Sequence, residues 1–107
     1  MQNINKDYFL LEKLKKGDPK AYAFLMDSYY KRLSAYANSL TNDVAKSEDI
    51  VQNIFVKIWV NRKKLNSNIQ IKNYLYRSVY NEFIDQYRKN KPLVYLEKKH
   101  IKAVNQI

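Results

Sequence analysis

The stretch PKAYAFLMDSYYKRLSAYANSL, Pro19 to Leu40, sets Tyr22, Leu25, Met26, Tyr29, Leu33, Tyr36, Ala37 and Leu40 at spacings of three and four. That period gathers all eight side chains onto one stripe of an α-helix, whereas a strand divides them between two faces. The residues just upstream agree. Gly17 suits the position past the end of a helix, Asp18 caps the next one, and Pro19 fits its first turn. A short helix is therefore expected over about Asp7 to Lys16, and a longer one from Pro19 to about Leu40.

Beyond Leu40, Thr41-Asn42-Asp43 is a polar break with Asp43 as a cap. A third helix follows, with Val44, Val51, Ile54, Phe55, Ile58 and Trp59 on one face and an end near Lys64. Asn66-Ser67-Asn68 reads as loop. A fourth helix is expected from about Lys72 to Lys89, with Leu75, Val79 and Phe83 in one row and Tyr76, Tyr80, Ile84 and Tyr87 in the next. Tyr76, Tyr80 and Tyr87 are read as core. Pro92 disfavours helix in the residue before it. Residues 1–91 then form one domain. Residues 92–107 are a linker remnant or a loosely docked tail carrying Leu93, Leu96, Ile101 and Val104.

The predicted fold is all-α: a small bundle of three main helices plus a short N-terminal one. One Gly and two Pro in 107 residues leave few helix breakers. Short connections such as Thr41–Asp43 favour antiparallel neighbours. Phe24, Leu33, Val51, Phe55, Trp59, Leu75 and Val79 are expected in or near the core. No cysteine and a single histidine, His100, exclude a disulfide framework, a thiolate metal site and a histidine triad, so no cofactor is expected. No apolar run approaches the ~20 residues of a membrane span, and membrane insertion is not expected. These features imply a cytoplasmic protein.

The net charge is +10, and it is uneven. Residues 41–60 are net −1, while residues 61–91 are net +6. The third helix is an acidic island beside a basic loop and fourth helix. Two surfaces of opposite character imply two partners, and the basic one implies a polyanion.

In the basic segment, Arg62, Lys63, Lys64, Lys72, Arg77, Arg88, Lys89 and Lys91 interleave with Tyr74, Tyr76, Tyr80 and Tyr87. Cations track phosphates while aromatic faces stack bases. Tyr74, Arg77 and Asn81 share a helix face, and an Asn amide there can read a base edge. Tyr74 flanks the loop, which contributes Asn66 and Ser67 as further DNA candidates. In the acidic island, Asp49 and Gln52 share a face beside the apolar stripe, with Glu48 and Asn53 adjoining. The helix dipole accounts equally well for Glu48. It gives Gln52 nothing, so Gln52 points more strongly to a partner.

Three stretches carry a family resemblance. SEDIVQNIFVKIW (Ser47–Trp59) is similar to the second conserved helix of the extracytoplasmic-function sigma factors of bacterial RNA polymerase. NYLYRSVYNEFIDQYRK (Asn73–Lys89) resembles their next helix, and KKGDPKAYAFL (Lys15–Leu25) their opening helix pair. The resemblance covers about Leu10 to Lys91 and corresponds to the family's region 2. It implies that Asp49 and Gln52 contact the clamp coiled coil of the largest polymerase subunit, with Phe55 and Trp59 mainly packing. Asn53 stands where the family usually has Glu, which weakens that contact.

The resemblance further implies that the loop at about Lys64–Ile71 captures a flipped base of the non-template minus-ten strand, at a cost of a few kcal/mol that the pocket offsets. Asn81 then lies near that pocket, Tyr74 replaces a common Trp, and Arg77 and Arg88 face the DNA backbone. The implied role is promoter recognition and melting, with core RNA polymerase, promoter DNA and an anti-sigma protein as partners. The family adds a C-terminal helix-turn-helix domain, and only fifteen residues follow Pro92 here. The chain alone is thus expected to bind polymerase but select promoters poorly. The alternative is a basic helical partner-binding module with no DNA activity of its own. No paired carboxylates, phosphate-binding Gly loop or activated nucleophile supports an enzyme.

Overall fold

The computed structural model describes the backbone of residues 2–89 and the side chains of residues 6–89. Lys91 and the tail expected at residues 92–107 lie outside the described residues. Among the described residues four α-helices follow one another: α1 (Gln2–Lys15), α2 (Pro19–Thr41), α3 (Val44–Val60) and α4 (Ile71–Lys89), with a 3-10 turn, η1 (Arg62–Lys64), between the last two. The fold is all-α, as the spacing predicts. α1 begins five residues earlier than expected, and the third helix ends at Val60, where the chain tightens into η1.

Local chemistry sets the boundaries. Gly17 adopts φ +82°, and its N–H donates to the Leu14 carbonyl at 2.9 Å, ending α1. Asp18 accepts the N–H of Lys20 at 2.9 Å and caps α2, with Pro19 following. Asn42 takes the left-handed conformation (φ 51°) that an Asn tolerates, and closes α2. Asp43 accepts the N–H of Lys46 at 3.0 Å and opens α3. The tight α2–α3 turn is stitched by the Thr41 and buried Ser47 hydroxyls, 2.8 Å apart.

α2 is the central helix, packed along both α3 and α4, while α1 lies across α2 and η1. Leu25, Leu33 and Ala37 of α2 meet Ile50, Val51, Ile54, Phe55 and Ile58 of α3 and Leu75 and Val79 of α4 in one core. Tyr22 spans the edge of that core, its hydroxyl donating to the Phe55 carbonyl at 2.8 Å.

Several core expectations are corrected. Phe24 is 61% exposed, because it sits about 100° round α2 from Leu25 and clears the stripe. Val44 is exposed at the first turn of α3, ahead of the packed region. Trp59 is half-buried, wedged between the Tyr22 ring (4.9 Å between centroids) and the Arg62 guanidinium (4.4 Å). Tyr76 packs on Tyr36, but Tyr80 and Tyr87 are exposed at the margin of α4, where their hydroxyls stay hydrated.

Candidate functional site

The acidic island forms an open face. Glu48, Asp49 and Gln52 are exposed on α3, and Asn53 is half-buried beside them. Asp49 accepts from Gln86 Nε2 of α4 at 3.0 Å and from Asn53 Nδ2 at 3.4 Å, which steadies its carboxylate. Val56 and Val60 are 58% and 69% exposed. Asp49, Gln52, Val56 and Val60 fall at spacings of three, four and four, so they make one outward line. Two valines left in water beside a steadied carboxylate and a free amide suit a partner helix better than solvent. Sequence reasoning missed these valines; their signal was their place on the Gln52 line, off the buried stripe.

Beneath this face runs a polar seam that the sequence reading also missed. Glu82 of α4 is buried and accepts from Lys57 Nζ of α3 and from Gln86 Nε2. Burial alone raises the Glu82 pKa, but the hydrogen bonds from Lys57 and Gln86 and the Lys57 charge outweigh it and hold the carboxyl below its ordinary value. Lys57 is correspondingly pushed up, first by its hydrogen bond to Glu82. Among the described residues the ion pairs are Lys57–Glu82 and Glu12–Lys15.

The basic region is organised by the segment between η1 and α4. Burial alternates along it: Leu65, Ser67 and Ile71 are buried and Ile69 half-buried, while Asn66, Asn68 and Gln70 are exposed. Three carboxamides thus face outward in a row from a segment pinned on its inner side. The pins are specific. Ser67 Oγ donates to the Glu12 carboxylate and Lys15 Nζ reaches the same hydroxyl, both from α1. That hydrogen bond from Ser67 is the main cause of a lowered Glu12 pKa. Asp7 accepts the N–H of Ile71 at 3.0 Å, so α1 also supplies the cap that α4 lacks locally.

This geometry sorts the DNA candidates. Lys63 and Lys64 on η1, Asn66 in the loop and Lys72 in the first turn of α4 are exposed together around the amide row. Asn68 belongs with them, although sequence reasoning passed over it as loop. Ser67 departs from expectation: its hydroxyl is committed inward to Glu12. Arg62 departs as well. Its guanidinium lies on the Trp59 ring, donates to the Trp59 carbonyl at 3.0 Å and abuts Gly17.

Tyr74 and Asn81 line a groove of about 330 Å³ between α3 and α4, with Lys57 and Asn61 on its other wall and Asp85 at its rim. Arg77 is exposed on the same side of α4. Arg88 and Lys89 are exposed but stand at the far end of the helix, roughly 25 Å from Ile71 at 1.5 Å per residue. They are not brought to the loop.

Residues 25–92 match the Sigma-70 region 2 family. This chain is a sigma factor region 2 domain. Its extracytoplasmic-function character is borne out by 33% identity over 87 residues to the ECF RNA polymerase sigma factor SigW of Bacillus subtilis (strain 168), covering 81% of this chain and 46% of that protein. The RNA polymerase sigma factor SigZ of the same organism is 33% identical over 67 residues, or 63% of this chain and 38% of that protein. The region 2 domain thus spans less than half the length of these curated relatives. Its fold is shared with an engineered region 2 of sigmaE, solved by NMR in complex with GTAAAA, at a TM-score of 0.70 and 24% identity over 79% of this chain and 88% of that one. No helix among the described residues is long and apolar enough to cross a membrane.

Proposed function

We propose that this region 2 domain acts by binding alone, docking on core RNA polymerase through α3 and capturing promoter minus-ten bases through the η1–α4 segment. Two exposed surfaces of opposite character carry the reading. The line Asp49–Gln52–Val56–Val60 offers a carboxylate, an amide and two apolar contacts to a basic helix of the polymerase clamp. On the other surface, Asn66, Asn68 and Gln70 present amide donors to base edges, the Asn66 and Gln70 oxygens already accepting from the Asn68 N–H and Asn73 Nδ2, while Lys63, Lys64 and Lys72 neutralise phosphates around them.

The relatives support this division. SigW and SigZ are RNA polymerase sigma factors, and the sigmaE region 2 was solved on a short DNA sequence. A segment already pinned by Glu12 and Asp7 loses little freedom when a base enters, which favours capture of an unstacked base. Tyr74 offers a ring edge at the start of α4 and Asn81 an amide one groove further. An anti-sigma protein covering the α3 line blocks polymerase docking by occlusion.

A second reading, a protein-binding bundle with an incidental basic face, rests on the exposed Val44, Val56 and Val60. Titration with single-stranded DNA separates the two. The sigma reading expects binding that weakens steeply with salt and is lost when Lys63, Lys64 and Lys72 are neutralised. Salt-insensitive binding, or none, favours the protein-binding bundle.

A further inference from the structure

A second groove, of about 670 Å³, lies between α1 and α2, and its floor reaches Ile71 at the end of the amide-bearing segment. Phe9 and Phe24 on its walls are 63% and 61% exposed. Phenylalanine has no hydroxyl for water to hold, and although Phe9 meets the Tyr8 ring edge-on at 5.8 Å between centroids, both rings stay largely open in one groove and can stack on a base. Four cations surround them: Lys6, Lys13, Lys20 and Arg32. None of the four forms an ion pair among the described residues. Arg32 is held ready, with its guanidinium 4.6 Å from the Tyr29 ring centre and a 2.8 Å hydrogen bond to the Ser28 carbonyl. The two acids in the groove are occupied by the backbone, Asp7 by the Ile71 N–H and Asp18 by the Lys20 N–H.

Accordingly, we infer that the α1–α2 groove is a second single-stranded DNA site, continuing the strand held at residues 66–70. This rests on the proposed DNA role of that segment. Unpaired cations with open aromatic faces are the chemistry of sequence-tolerant strand binding. Continuity through Ile71 favours a nucleic acid strand over an acidic protein helix, because one strand then runs from the amide row into the groove without leaving the surface. The Asp7 contact that caps α4 also fixes the junction between the two sites.

The test is an amide-resolved NMR titration of the chain with A/T-rich single-stranded DNA of six and of twelve nucleotides, beside the variant Phe9→Ala/Phe24→Ala. Both rings are exposed, so the variant keeps the parent fold, which its amide spectrum verifies. The six-nucleotide strand is expected to shift residues 66–72 and the first half of α4. The twelve-nucleotide strand is expected also to shift α1 and the first half of α2, and to bind about tenfold tighter or more. The variant is expected to lose that gain and bind both lengths alike. Shifts confined to the loop and α4, or a gain that survives in the variant, overturn the groove alone. An acidic amphipathic peptide that shifts α1 and α2 when the twelve-nucleotide strand does not also overturns it, and assigns the groove to a protein. If neither strand shifts any amide, the DNA reading of residues 66–70 falls and the groove proposal with it.

Discussion

Lys57 of α3 and Glu82 of α4 meet with Nζ and Oε1 2.5 Å apart, the lysine largely exposed and the carboxylate buried. The pair ties together the two helices that carry the two proposed interfaces. Glu82 has its folded pKa lowered, so its contribution is present above the unfolded value near 4.5 and is lost as pH falls through the folded one. Lys57 has its folded pKa raised, so its contribution is complete below 10.5 and is lost as pH rises through the folded value. The stabilisation therefore spans about pH 4.5 to 10.5. Glu82→Gln is expected to cost about 1 kcal/mol at pH 7, below the ~1.5–3 kcal/mol of a charged hydrogen bond because Lys57 is solvated. Denaturant melts at pH 7 and pH 3 check this: the gap between parent and variant narrows at the lower pH.

Ser67→Ala is expected to lower the melting temperature by a few degrees, since the hydroxyl pins the loop to Glu12. Its effect on DNA binding is expected to follow from a loosened loop and to be equal for all bases. Asn68→Ala is expected to leave the melting temperature unchanged and to alter base preference. Thermal melts beside a panel of short oligonucleotides distinguish the two roles.

Much of the fold was legible in the sequence because helical periodicity and caps are local signals. The Tyr22-to-Leu40 stripe, the Gly17-Asp18-Pro19 stop and start, and Asp43 all stand where the spacing puts them. What was hidden depends on neighbours. Phe24 has the composition of core but the wrong angle on α2. Arg62 and Ser67 look like DNA contacts until Trp59 and Glu12 are seen to hold them. The amide row was visible in part, since Leu65, Ser67, Ile69 and Ile71 alternate with polar residues, a period that a reading tuned to helices passes over. Glu82 stands seven residues past Leu75, at core spacing, and its partner came from another helix.

Gly17→Ala is expected to destabilise the domain by about 1 kcal/mol, because alanine resists the positive φ there. The added Cβ stands 3.3 Å from Arg62 Nε, so the loss is expected to ease when Arg62 is shortened. A double-mutant cycle with Arg62→Ala, followed by chemical denaturation, measures that coupling.

Trp59→Ala is expected to cost less than the ~3–5 kcal/mol of a fully buried aromatic, since the ring is half-exposed between Tyr22 and Arg62. Denaturant unfolding of the variant measures it directly.

We propose that α3 docks on RNA polymerase through the line from Asp49 to Val60. Retention of core bacterial RNA polymerase by the immobilised chain tests it, with Asp49→Ala/Gln52→Ala and Val56→Asp/Val60→Asp alongside and folding of each verified by its melt. The parent is expected to retain polymerase, and both folded variants to lose at least about tenfold of that binding, the scale of one or two interface contacts. Equal retention by parent and variants, or none by the parent, rules out docking through this line.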